Sequence, residues 1–171
     1  AERHHVLATA ERVAEAPPIE RGVRYVEVTL GGWDTHQDNF ERVAELSSDL
    51  DRAMSALLQD LKSRGLLDET LVVLASEFGR SPKINDQDGR DHHPECFSTV
   101  IAGGGIRGGQ VYGESDAQGQ SVRNQPVTIE QLNATIGHAV GVDHQKEIYS
   151  KAGRPFTMAY GAQPITELFT G

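Results

Sequence analysis

The feature that most restricts the fold of this chain is a long amphipathic segment over residues 39–64. Its apolar residues recur every three or four positions and therefore fall on one face of a helix: Val43, Leu46, Leu50, Ala53, Met54, Leu57 and Leu61. Gly65 follows directly, and glycine suits the position after a helix end because it adopts positive φ angles at little cost. A helix of this length cannot cover its own apolar face, so another layer of structure must pack against it.

Three further segments have the length and composition of strands. Residues 23–30 (VRYVEVTL) alternate apolar and polar side chains, which predicts a strand with one buried face. Residues 70–76 (TLVVLAS) and 97–103 (FSTVIAG) are almost continuously apolar, as strands buried in a parallel sheet are. A second helix is expected to begin at a capping box of Thr128 and Gln131. This order of elements predicts an α/β fold, a layered, mostly parallel sheet with flanking helices.

Length, charge and cysteine content limit the classes of protein. The 171 residues are enough for a single domain over residues 1–171, with residues 1–22 as an N-terminal helix and linker. The formal net charge of −9 argues against a nucleic-acid partner, because phosphate backbones require Lys and Arg. Cys96 is the one cysteine, which excludes an internal disulfide and a Cys-rich zinc site. No apolar run reaches the length of a membrane span.

The loop after the first predicted strand, GGWDTHQDNF, carries side chains typical of metal sites. Asp34, His36 and Asp38 are spaced by two, so in an extended chain all three point to the same side. Carboxylates and an imidazole placed together form half of a coordination shell for Zn²⁺ or Mn²⁺. Asp38 lies three residues before Glu41 and is favoured as the cap of the long helix. Asp34 and His36 are therefore the predicted metal ligands.

Glu77 and Arg80 follow the second predicted strand directly, in the segment SEFGR. Sites in α/β folds lie beyond the carboxyl ends of parallel strands, so both residues are candidates. In one interpretation Glu77 is a metal ligand and the planar guanidinium of Arg80 binds a phosphate or sulfate group. In the other, the two side chains form a surface ion pair, for which their spacing of three is suited. The residues alone do not decide between these interpretations.

The segment GRDHHP places Asp91, His92 and His93 before the third predicted strand. Adjacent side chains of an extended chain point to opposite sides, so either His92 or His93 is expected to bind metal and the other to support it or lie at the surface.

The segment GGGIRGG, residues 103–109, contains the G-x-G-x-x-G spacing of dinucleotide-binding loops. The residues that follow it have no helical pattern, so it predicts a glycine-rich turn with a short hairpin rather than a nucleotide site.

Taken in order, these motifs resemble one family of uncharacterised proteins, grouped as domain of unknown function 1501. The motifs are GGWDTH, RGLLDETLVVLASEFGR, N-x-x-x-GRDHHP, GGGIRGGQVYGESD, ATIGHAVGV and a GRP…PITEL tail, and they extend from about Gly31 to the C-terminus. The family is similar to the alkaline phosphatase and sulfatase superfamily, whose members bind one or two metal ions at the end of a central sheet. The resemblance implies an alkaline phosphatase-like fold, of which this chain is expected to be the C-terminal part, without the N-terminal nucleophile segment.

The resemblance also assigns roles to individual residues. Asp34 and His36 match the first Asp and His of the superfamily pattern, and His92 or His93 matches its last His. Glu77 stands where an Asp–His pair is usual, so the pair's nitrogen ligand is missing here.

The implied function is metal-dependent hydrolysis of phosphate or sulfate esters, with Arg80 holding the anion. Zn²⁺ or Mn²⁺ is the favoured cofactor, and Ca²⁺ also fits a shell rich in oxygen. The expected substrates are anionic small molecules or polysaccharide esters. The alternative is a non-catalytic binding or structural protein with a degenerate metal site. In either case the resemblance implies a periplasmic or secreted protein, whereas the oligomeric state is not indicated.

Overall fold

The computed structural model describes residues 22–170 and, before them, the backbone of the strand Val6–Ala8. The chain divides into two compact units. The first unit comprises Ala1–Ser63 and Lys83–Asp91, and the second comprises Arg64–Pro82 and His92–Gly171. Within the described part of the chain, neither helix offers an apolar stretch long enough to cross a bilayer.

The described residues of the first unit form one pair of strands and one long helix. Strands β1 (Val6–Ala8) and β2 (Val26–Val28) pair in parallel. Strand β2 lies inside the segment predicted as the first strand. The predicted N-terminal helix is wrong at Val6–Ala8, which form the strand β1. The rest of the predicted helix lies outside the described residues.

Helix α1 (Asn39–Ser63) confirms the prediction from the amphipathic segment. Every residue of the predicted apolar face is partly or fully buried, and Leu61 is completely buried. Glu41 in the first turn and Lys62 in the last turn have the signs that the helix dipole favours. Gly65 follows the helix with a φ of +69°, the left-handed conformation expected after a helix end.

The second unit contains four pairs of short strands, all antiparallel. Its first four strands in chain order are β3 (Val72–Leu74), β4 (Gly79–Arg80), β5 (His92–His93) and β6 (Val100–Ala102). Strand β3 pairs with β6, and β4 pairs with β5. The remaining pairs are β7 (Glu114–Ser115) with β8 (Val122–Asn124), and β9 (Ile148–Tyr149) with β10 (Pro155–Phe156).

The predicted layered, mostly parallel sheet of an alkaline phosphatase-like fold is wrong. In the described residues the strands form five separate two-stranded sheets, and β1–β2 is the parallel one among them. Parallel neighbours need a crossover connection, usually a helix. The segment 75–99 between β3 and β6 holds no helix, so β6 returns in the opposite direction. A continuous apolar run predicts a buried strand but carries no information on strand direction. The predicted burial is also incomplete, because neither β3 nor β6 contains a fully buried residue.

Helix α2 (Ile129–Ala139) organises the second unit. The capping box of Thr128 and Gln131 is present as predicted, with both reciprocal hydrogen bonds. In the middle of α2, the buried Thr135 hydroxyl donates to the carbonyl of Gln131 (2.7 Å) and accepts from the amide of Ile165 (3.0 Å). The fully buried apolar side chains among the described residues of the second unit are Ala134, Ala159, Ile165 and Leu168.

The glycine-rich segment forms a turn, followed by the β7–β8 hairpin, as predicted. Gly103 has a φ of +68°, and a Cβ at this position would lie 2.3 Å from the carbonyl oxygen of Thr70 and 2.5 Å from that of Leu67. The amide of Gly104 donates to the same Leu67 carbonyl (3.0 Å). Glycine is therefore required at residue 103, because two segments of backbone meet there without room for a side chain.

Candidate metal centre

The loop before α1 presents Asp34 and His36 on its open side. Between them, the side chain of Thr35 is completely buried and donates a hydrogen bond to Oδ1 of Asn39 (2.6 Å). On either side of the buried Thr35, Asp34 is exposed and His36 is partly exposed. Nε2 of His36 then lies 3.1 Å from Oδ1 of Asp34, so the two predicted ligands do come together.

A second loop of the first unit, residues 85–91, lies along this segment. Three backbone hydrogen bonds join the two loops: the amide of Asp38 to the carbonyl of Gln87 (3.2 Å), that of Asn39 to Asp88 (3.0 Å), and that of Arg90 to Thr35 (3.0 Å). Gly89 is buried at their contact, where a Cβ would lie 1.9 Å from the carbonyl oxygen of His36. Such a close approach fixes the position of Asp91, at the end of the second loop, relative to His36.

His36 lies between two carboxylates. Its Nδ1 is 3.0 Å from Oδ1 of Asp91, and its Nε2 faces Asp34. A carboxylate only accepts hydrogen bonds, so both contacts are hydrogen bonds at the same time only when the ring carries both protons. A metal ion needs a neutral ring, and would take the Nε2 lone pair in place of that proton.

The spacing of Asp34 and His36 fits a shared metal ion. Two ligands at about 2.0–2.1 Å from Zn²⁺ in tetrahedral geometry lie about 3.3 Å apart. The observed separation of 3.1 Å between Oδ1 of Asp34 and Nε2 of His36 is close to this value. Both side chains are substantially exposed, so the site is open to ions and substrates from solvent. The donor set of one carboxylate oxygen and one imidazole nitrogen suits Zn²⁺ or Mn²⁺.

Asn85 connects the two loops through its side-chain amide. Its Nδ2 donates to the carbonyl of His36 (3.0 Å) and to Oδ1 of Asp91 (3.2 Å). Its Oδ1 accepts from the amides of Gln87 (3.0 Å) and Gly89 (2.9 Å). The sequence does not predict Asn85 as part of the site, and it places Asp91 in the GRDHHP segment without assigning it a role. The one available signal is the motif N-x-x-x-GRDHHP, in which Asn85 is the first residue.

Asp38 lies at the position that the sequence predicts for it, at the start of the long helix, whereas capping by its side chain stays a prediction. It immediately precedes α1, and its carbonyl accepts the first helical hydrogen bond, from the amide of Arg42 (3.2 Å). Its φ of +51° lies in the left-handed region, so the backbone changes direction where the helix begins. Asp38 therefore begins the helix, whereas Asp34 and His36 form the candidate site.

The candidate residues Glu77, Arg80, His92 and His93 all belong to the second unit. The guanidinium of Arg80 contacts Oε1 of Glu77 at 3.3 Å, so the ion pair, one of the two interpretations of these residues, is present. Strand pairing places Arg80 opposite His92, and the His92 ring packs against Phe78 with a centroid distance of 4.2 Å.

Both ring nitrogens of His93 have partners in the second unit. Nε2 donates to the carbonyl of Gln120 (2.7 Å), and Nδ1 lies 3.2 Å from Oε2 of Glu95. These two contacts fix the orientation of the ring, and this favours a structural role for His93. Metal binding by Glu77, His92 and His93 stays a prediction.

Gln120 belongs to a tight loop, DAQGQS, that Asp116 organises. The Asp116 carboxylate accepts from the amides of Gln118, Gln120 and Ser121 and from the Ser121 hydroxyl, over 2.7–3.0 Å. These hydrogen bonds, the one from Gln120 above all, hold the pKa of Asp116 below its ordinary value of 3.8. The ionised carboxylate thus supports the loop whose carbonyl binds His93.

Comparison with known proteins identifies one family. The family model described as a protein of unknown function, DUF1501, matches residues 9–169 of the chain. Neither the curated proteins nor the solved structures gave a significant match. The relation to phosphatases and sulfatases, the C-terminal position in a longer protein and the export from the cytoplasm stay predictions. The match spans nearly the whole chain, and the protein therefore belongs to the DUF1501 family of proteins of unknown function.

Proposed function

We propose that the first unit binds a divalent metal ion through Asp34 and His36, and that the protein uses this ion to hydrolyse phosphate or sulfate esters. The observation that carries the proposal is the 3.1 Å separation between Oδ1 of Asp34 and Nε2 of His36, in a loop that leaves both side chains partly exposed. Zn²⁺ and Mn²⁺ are the favoured ions because the pair offers both nitrogen and oxygen. Ca²⁺ is less suited because it prefers oxygen ligands alone.

When bound, such an ion polarises an ester oxygen and lowers the pKa of an attacking water or hydroxyl group. The chain's own contribution is to hold the two ligands. Burial of Thr35 and its hydrogen bond to Asn39 keep Asp34 and His36 pointing outward before any ion arrives. This preorganisation reduces the entropy that metal binding would otherwise cost.

Arg80 is the proposed anion-binding residue of the second unit. Its guanidinium is largely shielded from solvent and contacts the more exposed carboxylate of Glu77. The donor fork that accepts a carboxylate also matches the oxygens of phosphate and sulfate. A substrate anion would therefore replace Glu77 as the partner of Arg80.

A second candidate function is metal binding without catalysis. Catalytic zinc sites commonly use three protein ligands. Asp34 and His36 of the first unit provide two. An ion held by Asp34 and His36 would then stabilise the first unit and leave substrates unchanged.

The metal content of the purified chain tests the binding proposal. We expect close to one equivalent of Zn²⁺ or Mn²⁺ in the wild type after dialysis, measured by mass spectrometry, and a large loss in Asp34→Ala and His36→Ala. Asp86→Ala removes an exposed carboxylate from the same unit and should retain the metal. Circular dichroism checks that each variant is folded. A folded wild type that takes up no metal at all would overturn the proposal.

Turnover distinguishes the two candidate functions. The metal-loaded protein is assayed on a panel of phosphate and sulfate esters, with Asp34→Ala as the control. Hydrolysis by the wild type that disappears in the control supports the hydrolase. Stoichiometric metal with no turnover on any ester supports the non-catalytic candidate.

A further inference from the structure

We infer that Asp91 and Asn85 orient the His36 ring for metal binding, with Asp91 holding the proton of Nδ1 and Asn85 fixing Asp91. The inference rests on the proposed metal site and adds two positioning residues to it. The chain of contacts runs from Asn85 to Asp91, from Asp91 to His36, and from His36 to the ion shared with Asp34.

The first step concerns the tautomer of His36. A neutral imidazole carries one proton, and only the nitrogen without it can bind metal. Oδ1 of Asp91 lies 3.0 Å from Nδ1, where it accepts the proton of that nitrogen. The Nε2 lone pair then faces Asp34 and is available to the ion. A carboxylate behind a metal-binding histidine is a recurrent arrangement that fixes the tautomer and makes the ring a stronger ligand.

The second step concerns the orientation of Asp91. Oδ1 of Asp91 receives a hydrogen bond from Nδ2 of Asn85 as well as from His36. The other proton of the same Asn85 nitrogen goes to the carbonyl of His36. Asn85 therefore ties the carboxylate to the backbone of the residue whose ring it must meet. Oδ1 of Asn85 accepts from two backbone amides, so the amide cannot be reversed without losing four hydrogen bonds.

The third step concerns the energy of these contacts. Side-chain exposure is 44% for His36 and 62% for Asp91, and an exposed ion pair contributes little to stability. Two residues separated by 55 positions are nevertheless held at hydrogen-bond distance, with the close approach of Gly89 setting the spacing of the loops. A contact that contributes little to stability yet is built so specifically is better explained by orientation of the ring.

Zn²⁺ affinity of the full chain tests the role of Asp91. We expect Asp91→Ala to weaken binding about 10- to 100-fold, the usual effect of removing such a partner. Asp91→Asn keeps an oxygen acceptor and should weaken it less. Asp86→Asn removes the same charge from the same loop without touching His36, and should leave the affinity unchanged. Equal losses in Asp91→Asn and Asp86→Asn would show that net charge, and not the contact, matters, and would overturn the inference.

A pair of substitutions separates the two roles of Asn85. Asn85→Asp keeps an oxygen acceptor for the loop amides of Gln87 and Gly89 but donates neither to His36 nor to Asp91. We expect it to fold and to weaken Zn²⁺ binding as strongly as Asp91→Ala. Asn85→Ala removes both roles and should also lower the melting temperature. Wild-type affinity in a folded Asn85→Asp would exclude Asn85 as a positioning residue.

The tautomer of His36 provides a readout that needs no metal. In Asp34→Ala the proposed metal site is lost, but the contact of Asp91 with Nδ1 remains. Long-range nitrogen–proton correlation NMR, above the usual titration range of histidine, should show the proton on Nδ1 in this variant. Adding Asp91→Ala should remove that preference. If the two variants give the same tautomer, the inference fails even where the wild type binds metal. If the tautomer changes as expected in a chain that never binds metal, the proposed function alone fails.

Discussion

At the scale of single residues, the sequence indicates those side chains whose role depends on near neighbours. The spacing of Asp34 and His36 predicts that they point together, and the structure places them within 3.1 Å. Asn85 could not be found in this way, because its partner carbonyl lies 49 positions away. The pairing of Glu77 with Arg80 was one of two open alternatives, since spacing permits an ion pair without requiring it.

Asp116 makes a prediction about pH at this scale. Its folded pKa is below the ordinary value of 3.8, so its support of the DAQGQS loop is fully present above that value and is lost as the pH falls through the lowered pKa. The amide signals of Gln120 and Ser121, followed by NMR, should stay constant down to about pH 4 and change together below the ordinary range of aspartate. In Asp116→Asn the change should disappear. A transition at or above the ordinary value would contradict the assignment.

At the scale of elements, periodicity and capping predict the two helices well. The sequence predicts the pairing direction of the strands poorly. Helix α1 follows from its apolar repeat and α2 from its capping box, since both signals are local. The direction in which β3 and β6 pair depends on the connection between them. The apolar composition of the two segments does not encode that connection, and the predicted parallel sheet was wrong for this reason.

The glycine-rich turn provides a prediction for an element. Gly103→Ala forces a side chain into a positive φ, at about 1–2 kcal/mol, and drives its Cβ against two carbonyl oxygens, at about 1–3 kcal/mol more. Gly105→Ala is the matched control, because its φ is also positive but no atom lies within 4 Å of the added Cβ. Urea unfolding should therefore show a clearly larger loss of stability for Gly103→Ala. Equal losses would mean that the turn relaxes around the extra methyl group.

At the scale of the whole molecule, few apolar side chains in the described residues are fully buried, and several on the strands remain exposed. Val100 of β6, for example, is 51% exposed. A strand in a two-stranded sheet has one hydrogen-bonded neighbour, so its faces depend on other elements for cover. The sequence indicates which residues are apolar, but the extent to which they are covered is a property of the complete fold.

Metal binding should raise the stability of the folded protein. The proposed ligands and their positioning residues come from two segments of the first unit, 34–36 and 85–91. An ion that binds more tightly when these segments are together favours the folded state, by up to about 2.7 kcal/mol at a free concentration of 100 times its Kd. Thermal melts with and without Zn²⁺ should differ for the wild type and coincide for Asp34→Ala. A shift of equal size in both proteins would indicate binding elsewhere.

The docking of residues 85–91 onto the loop before α1 has a consequence for the order of events during synthesis. His36 leaves the ribosome 55 residues before Asp91, the residue inferred to hold its ring proton. Until then a nascent chain offers Asp34 and His36 without the loop that orients them. On this account strong metal binding begins only after the chain has closed on itself, so an ion would join an already folded first unit and would not guide its folding from the start.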